Sequence, residues 1–322
     1  MKTNSRNISV TLLLCATLIA QYSCKKDKND ESFVDGYNPT LTEKAGITYD
    51  GDYFPLNTGY NWDWQGQSTN KGTYEDESVN ETDDVSGYMY IVQQKLIVLP
   101  SGSYTVYQTS ETHGIERYFE KTASTVNLRA INNLDGSDNL IEVKNPCYIK
   151  MPLVVGDKWV AQPQIDNQLL STIEDIDISN LQIKCNFYVI GKENIIWKGQ
   201  STETIRIEER AEISGKAAYD DEKINVSATI MITLNLCKNI GVIMQKEDLN
   251  VTTSGDVKMN MNVKSNIALT NYSLNEIPTP PEVPVIMKYN VEKIEELPGL
   301  KSANPTATKI QKLIQVLKRA CL

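Results

Sequence analysis

The chain is poor in the residue types on which most catalytic chemistry depends. A single histidine, His113, stands among 322 residues, so a histidine-rich metal site is excluded and any Ser-His-Asp chemistry would have to run through that one ring. Cys-x-x-Cys, Gly-x-Ser-x-Gly, phosphate-loop and dinucleotide glycine patterns are all missing. With them go the local signatures of zinc ribbons, serine hydrolases and nucleotide-dependent enzymes. Basic residues are outnumbered, 32 Lys plus Arg against 41 Asp plus Glu for a net charge of −9, and form no long run. Nucleic-acid affinity rests on neutralised phosphates, so nucleic acid is not an expected partner. Phenylalanine is scarce, at 4, but 16 tyrosines and 40% hydrophobic residues suffice for a sizeable core.

Long hydrophobic runs are also missing. The apolar stretch from Ile8 to Ala20 has 13 residues, short of the about 20 that cross a bilayer. With Lys2 and Arg6 before it, this stretch has the layout of an export signal. Ser23 then precedes Cys24, and the charged stretch Lys25-Lys26-Asp27-Lys28-Asn29-Asp30-Glu31 follows. This region resembles a lipoprotein signal, in which the cysteine becomes the acylated first residue of the mature chain. The positions three and two before the cysteine, Gln21 and Tyr22, depart from the usual Leu and small residue; Bacteroidota lipoproteins are often loose there, and the charged stretch is similar to their surface-export signals. The resemblance implies lipidation at Cys24, a membrane attachment through that anchor, and an outer-membrane location facing the periplasm or the cell surface. Ordinary cleavage near Ala20 is the alternative. Removal of residues 1–23 takes away Lys2 and Arg6, so the mature charge becomes −9 − 2 = −11.

The expected organisation is a signal peptide over 1–23, a polar tether over 24–45, an antiparallel β domain over 46–275, a Pro-rich spacer over 276–304 and an amphipathic helix over 305–322. The β domain is read from period-2 alternation. One stripe is Ile183, Cys185, Phe187 and Val189. Another is Ile205, Ile207, Ala211 and Ile213, with Arg206, Glu208, Arg210 and Glu212 opposite. A third runs Ile224, Val226, Ala228, Ile230, Ile232, Leu234 and Leu236, and a fourth Val257, Met259, Met261 and Val263. Shorter strands are expected at Tyr88 to Leu99, Ser103 to Ser110, Gly114 to Lys121, Thr125 to Ile131 and Leu140 to Val143. Strands this long twist, so the sheet should curve into a half-barrel or barrel-like trough whose apolar face needs a cover. Only Ile165 to Ile178 offers a helix to supply one in the main body. In the C-terminal segment, Ile310, Leu313, Ile314, Leu317 and Cys321 share a helical face, and Lys309, Lys312, Lys318 and Arg319 populate the rest.

Tyr53-Phe54-Pro55-Leu56-Asn57-Thr58-Gly59-Tyr60-Asn61-Trp62 and Met151-Pro152-Leu153-Val154-Val155-Gly156-Asp157-Lys158-Trp159 share the pattern Pro-Leu-x-x-Gly-x-x-Trp at a spacing of 97 residues. Physically this is a turn into a strand: proline fixes an extended entry, glycine permits a positive φ, and tryptophan anchors the new strand in the core. An exposed tryptophan platform for sugar is the functional rival. The motif resembles a signature of secreted and lipid-anchored proteins of Bacteroidota and other bacteria, with Asn239-Ile240-Gly241-Val242-Ile243 similar to a phrase that closes such domains. These domains look like the half-barrel family that includes the outer-membrane lipoprotein carriers. The resemblance implies a concave apolar face that holds acyl chains.

Candidate chemistry is thin. His113 lies between Glu111 and Glu116 in an expected solvated turn. Glu75, Asp76, Glu77, Glu81, Asp83 and Asp84 form an expected acidic loop, and Asp135, Ser137, Asp138 and Asn139 an oxygen-rich turn. Neither has the spacing of a calcium loop, so solvated turns are the reading and no metal or other cofactor is assigned. Cys147, Cys185, Cys237 and Cys321 allow three pairings, none selected by the sequence. No catalytic residue is assigned, although a hydrolase working through two distant carboxylates would leave no local trace.

These features point to a non-catalytic envelope protein that captures an apolar ligand, such as an acyl chain or lipid. The expected contacts are Ile224, Val226, Ile230, Ile232, Leu234, Met259 and Met261, where thioethers adapt to irregular ligands. A filled core would instead favour a surface subunit that docks a glycan or an envelope protein partner through loops and the C-terminal helix. Cys24→Ala is expected to abolish incorporation of a fatty-acid label and to release the protein from the membrane fraction. A variant that keeps the label would contradict acylation at Cys24.

Overall fold

The computed structural model describes residues 37–74, 77–112, 115–132, 140–143, 147–161, 177–219, 222–256 and 258–275. Every element of length in them is a strand: β1 (Thr48–Tyr49), β2 (Asn61–Tyr74), β3 (Glu77–Leu99), β4 (Gly102–Glu111), β5 (Arg117–Lys121), β6 (Thr125–Asn132), β7 (Leu140–Glu142) and β8 (Cys147–Lys150). There follow β9 (Leu153–Val154), β10 (Lys158–Ala161), β11 (Asp177–Trp197), β12 (Gln200–Tyr219), β13 (Glu222–Cys237), β14 (Gly241–Gly255) and β15 (Met259–Ser273). The mostly β, antiparallel class expected from the alternation is therefore what the protein adopts. Cys24, His113, the turn at 135–139, the helix candidate up to residue 176, Cys321 and the C-terminal helix at 305–322 lie outside the described residues. Ile178, at the end of that helix candidate, belongs to β11.

One 13-stranded sheet carries the fold, in the order β10-β11-β12-β13-β14-β15-β2-β3-β4-β5-β6-β7, with β8 also on β6. The chain enters at the middle, builds one half outwards from β2 to β7, and then builds the other half inwards from β10 to β15. β15 closes the circuit by pairing along β2 from Met259↔Tyr74 to Ser273↔Asn61. Among the described residues no hydrogen-bonded pairing joins β10 to β7 or β8, so the sheet is open.

The sheet curls strongly. Trp197 at the end of β11 donates its indole N–H to the Leu269 carbonyl of β15 at 2.7 Å, although β12, β13 and β14 lie between them in the sheet. The curl brings Phe119, Leu128, Tyr148 and Ile149 from one half into the same core as Phe187, Ile207, Ile232 and Leu249 from the other. Phe54 packs between Phe119 and Tyr148 at centroid distances of 5.5 and 5.4 Å. A smaller core of Ile97, Leu99, Val106, Tyr118 and Ala130 lies on the opposite face of β3–β6.

The third stripe, Ile224 to Leu236, faces inward as its alternation requires, each residue no more than 4% exposed. β11 departs from simple alternation, because Asn186, Tyr188 and Ile190 are buried along with Cys185, Phe187 and Val189. Residues from Tyr37 onward, the distal part of the expected tether, supply the second cover. Tyr37 packs edge-on to Tyr188 at 5.2 Å, lies under the Arg210 guanidinium and donates to Glu208. Thr42 N–H reaches the Ile190 carbonyl at 3.1 Å, and Glu43 accepts from Lys192 N–H at 2.7 Å.

The acidic segment is corrected: Glu77 to Asp84 are not a loop but the first part of β3, in register with β2 from Tyr74↔Glu77 to Gln67↔Asp84. Alternation was masked there because the β2 residues on the inner face are Gly66, Ser68, Asn70 and Gly72 rather than large apolar ones.

Both copies of the repeated motif are turns into strands. Gly59 and Gly156 have φ of 91° and 86°, in the left-handed region that a side chain disfavours. Trp62 and Trp159 follow at 2% and 4% exposure. The Trp62 indole donates to the Ile240 carbonyl at 2.7 Å, which ties the first turn to the β13–β14 connection, and Trp159 stacks on Phe187 at 5.3 Å. Trp62→Ala is expected to cost about 3–5 kcal/mol, the range for deleting a large buried aromatic, measured as a lowered urea midpoint with an unchanged slope. A loss below about 1 kcal/mol would show that the curl does not depend on this anchor.

Candidate functional site

Where the curled halves approach each other, a narrow cleft open to solvent holds a cavity of about 60 Å³. Trp62 and Trp64 share its wall because they are two residues apart on β2, on one face of the strand. Met89 of β3 and Ile267 of β15 continue that wall, and Phe54, Pro55 and Val242 close it from the loop and from β14. The indoles are held in place: Trp64 donates to the Val242 carbonyl at 3.2 Å, parallel to the bond from Trp62. Gly87, two residues before Met89, leaves space where a side chain would otherwise stand. Apolar walls whose indoles are fixed by hydrogen bonds suit contact with hydrocarbon, and a chain larger than this small cavity enters only by displacing wall side chains.

The polar residues that line the cleft are Glu111, Arg117 and Tyr148, which contact one another, and Gln245 of β14. Arg117 Nη2 lies 2.8 Å from Glu111 Oε2, with side chains only 4% and 1% exposed. The Thr109 hydroxyl donates to Glu111 Oε1 at 2.7 Å, and Arg117 donates to the Tyr148 hydroxyl. Burial pushes the Glu111 carboxyl above its ordinary value, opposed by the Arg117 charge and the Thr109 hydrogen bond. Burial likewise raises the Tyr148 phenol, so it stays protonated as a donor. No strand in this half shows why these positions should be polar: the signal visible in the sequence is only the run of paired polar residues at the end of β4.

The residues expected to touch an apolar ligand lie on the same concave face. Ile224, Val226, Ile230, Ile232, Leu234 and Met259 are buried in the core, and Met261 is half-buried against it. None of them lines the cleft. Leu234 comes nearest in register, as the cross-strand neighbour of Gln245. Among the described residues no three His, Cys, Asp or Glu side chains gather as a metal site. Cys147 and Cys185 are buried and Cys237 is half-buried.

No protein-family model matches the chain, and no curated protein matches it. Among solved structures, it is similar to a candidate lipoprotein of Parabacteroides distasonis ATCC 8503 at 14% identity, covering 69% of this chain and 99% of that one, with a TM-score of 0.26. A candidate exported protein with a YmcC-like fold from Bacteroides fragilis NCTC 9343 matches at 10% identity over 70% of this chain and 100% of that one, with a TM-score of 0.24. Overlays this loose carry no argument about shape or activity, which rest on the geometry above.

A second polar group interrupts the apolar face. Glu209 lies in the β12 stripe between Ile207 and Ala211, and Glu247 in the β14 row between Ile243 and Leu249, both buried. Register aligns Phe187, Glu209, Ile232 and Glu247 across four strands, which sets the two acids about 10 Å apart on either side of Ile232. The signal for Glu209 is the gap from Ile207 to Ala211 in an otherwise regular stripe. The Cys185 thiol donates to Glu209 Oε1 at 3.4 Å. Burial raises the Glu209 carboxyl well above its ordinary value, Glu247 adds to the rise, and the thiol opposes it. The folded chain therefore keeps this proton to higher pH than the unfolded chain. Stability is unaffected below the unfolded carboxyl's range and falls as pH rises from there towards the folded value, because only the unfolded state has released the proton. Glu209→Gln, which keeps an acceptor for the thiol, is expected to remove part of that loss. Urea midpoints at about pH 4 and about pH 8 should show the variant gaining on the wild type at the higher pH; an equal offset at both would contradict it.

Proposed function

We propose that the protein is a lipid-anchored, non-catalytic component of the cell envelope that holds an apolar ligand, an acyl chain or lipid, on the concave face of its sheet. The cleft carries this reading: Trp62, Trp64, Met89 and Ile267 offer hydrocarbon a preformed wall at an opening to solvent. Burying a chain there gains roughly 25 cal/mol per Å² of apolar surface removed from water. Capture starts at the cleft. Leu234 leads from it into the stripe formed by Ile232, Ile230, Val226 and Ile224, with Met259 and Met261 beside it, where flexible thioethers allow a longer chain to repack the wall.

The anchor is supported by the signal region and Cys24. Tyr37, the first described residue and one that packs against β11 and β12, lies 13 positions after Cys24, so it stands within about 45 Å of the acylated residue, the reach of an extended chain. That reach delivers the cleft to ligands in or close to the membrane that holds the anchor, and leaves an envelope protein as a further partner of the same surface.

Residues 24–322 carrying Cys24→Ser, which removes the covalent acyl group, are expected to retain a co-purifying lipid by native mass spectrometry and solvent extraction. Met89→Asp should reduce its occupancy at least about tenfold at an unchanged melting temperature. A clean unliganded mass, or occupancy indifferent to Met89→Asp, would contradict ligand capture at the cleft.

A further inference from the structure

We propose that the cleft selects an uncharged amphiphile, a hydrocarbon chain ending in an ester, amide or alcohol, over a fatty-acid anion or a cationic lipid. This deepens the apolar-ligand reading and rests on it. The observation is the buried pair on the wall of an apolar cleft: Arg117 and Glu111, 2.8 Å apart at 4% and 1% exposure. With Glu111 ionised against Arg117 their charges cancel, so this part of the cleft is polar without net charge.

Three consequences follow from that cancellation. An anionic headgroup has to share Arg117 with a carboxylate already seated on it, and a cationic one has to share Glu111 with the guanidinium. Either would be buried beside a neutral pair without a counter-charge of its own, which is costly away from water. A neutral ester, amide or hydroxyl meets no such penalty. It needs hydrogen-bonding groups, and the cleft lining offers both donors and acceptors in Arg117, the Tyr148 hydroxyl and the Gln245 amide. The pair is also an expensive way to fill space, since well-packed apolar residues stabilise such a site as well or better. Its position on the cleft wall is therefore explained by selection of the ligand's polar end.

The test uses residues 24–322 with Cys24→Ser and probes with one chain length and different head charge: monolauroylglycerol, laurate and dodecyltrimethylammonium, each below its micelle concentration. Binding is read as the change in tryptophan emission, in which Trp62 and Trp64 of the cleft wall emit alongside Trp159 and Trp197. The neutral probe is expected to bind at least about tenfold tighter than either ion. N-lauroylethanolamine separates amide-linked from ester-linked chains, and tight binding of either supports the neutral class. Equal or tighter binding of laurate or dodecyltrimethylammonium overturns the selection while leaving apolar capture intact. No binding of any probe overturns both. Glu111→Gln leaves the Arg117 charge uncompensated and should shift preference towards laurate by about tenfold, and an unchanged preference in a folded variant overturns the role of the pair. The wild-type series decides the matter if that variant does not fold.

Discussion

A sheet of strands as long as 23 residues with one apolar face has to hide that face from water, and this chain does so by curling the sheet onto itself. The bond from Trp197 to the Leu269 carbonyl, spanning three intervening strands, measures how tight that curl is. Phe54 completes it from the loop before β2 by packing on both Phe119 and Tyr148. The cleft is the part of the concave face where the approaching halves do not meet. Its position follows from the β13–β14 connection and the start of β14, which the two indoles of β2 hold through the carbonyls of Ile240 and Val242.

Charge inside this fold is confined to few places and is handled in different ways. At the cleft, Glu111 is offset by Arg117 and stays polar without net charge. Deeper in, Glu209 is met by a thiol and by the field of a second acid, and so favours its proton. On the outer face, Glu208 and Arg210 are covered by Tyr37, which turns an otherwise wet side of β11 and β12 into a second packed layer. The segment that leads from the proposed anchor is thereby part of the domain from Tyr37 onward.

The sequence made some of these strands plain and hid others, for one physical reason. Alternation is visible where the inner face is lined with large apolar residues, as from Ile224 to Leu236 and from Met259 to Val263, and there strand and facing are both legible. It vanishes where the inner face is polar or bare. β2 turns Gly66, Ser68, Asn70 and Gly72 inward, β3 sets the acids Glu81 and Asp83 opposite Asn70 and Ser68, and β14 places Gln245 and Glu247 in its inner row. The two Pro-Leu-x-x-Gly-x-x-Trp turns were legible because φ and burial are local demands. The cleft was not, because it joins residues from seven strands and a loop, and no spacing in the chain reports which halves a curl will bring together. Glu209 lay between these cases: its stripe was legible, and the break between Ile207 and Ala211 is where a buried acid stands.

The most direct measurement is a crystal structure of the protein purified from its own envelope without added detergent ligands. Elongated density along Trp62, Trp64, Met89 and Ile267, with its polar end at Arg117 and Glu111, is the expected result. A cleft closed by its own side chains, with ordered water alone at the ion pair, would contradict ligand capture by this face of the sheet.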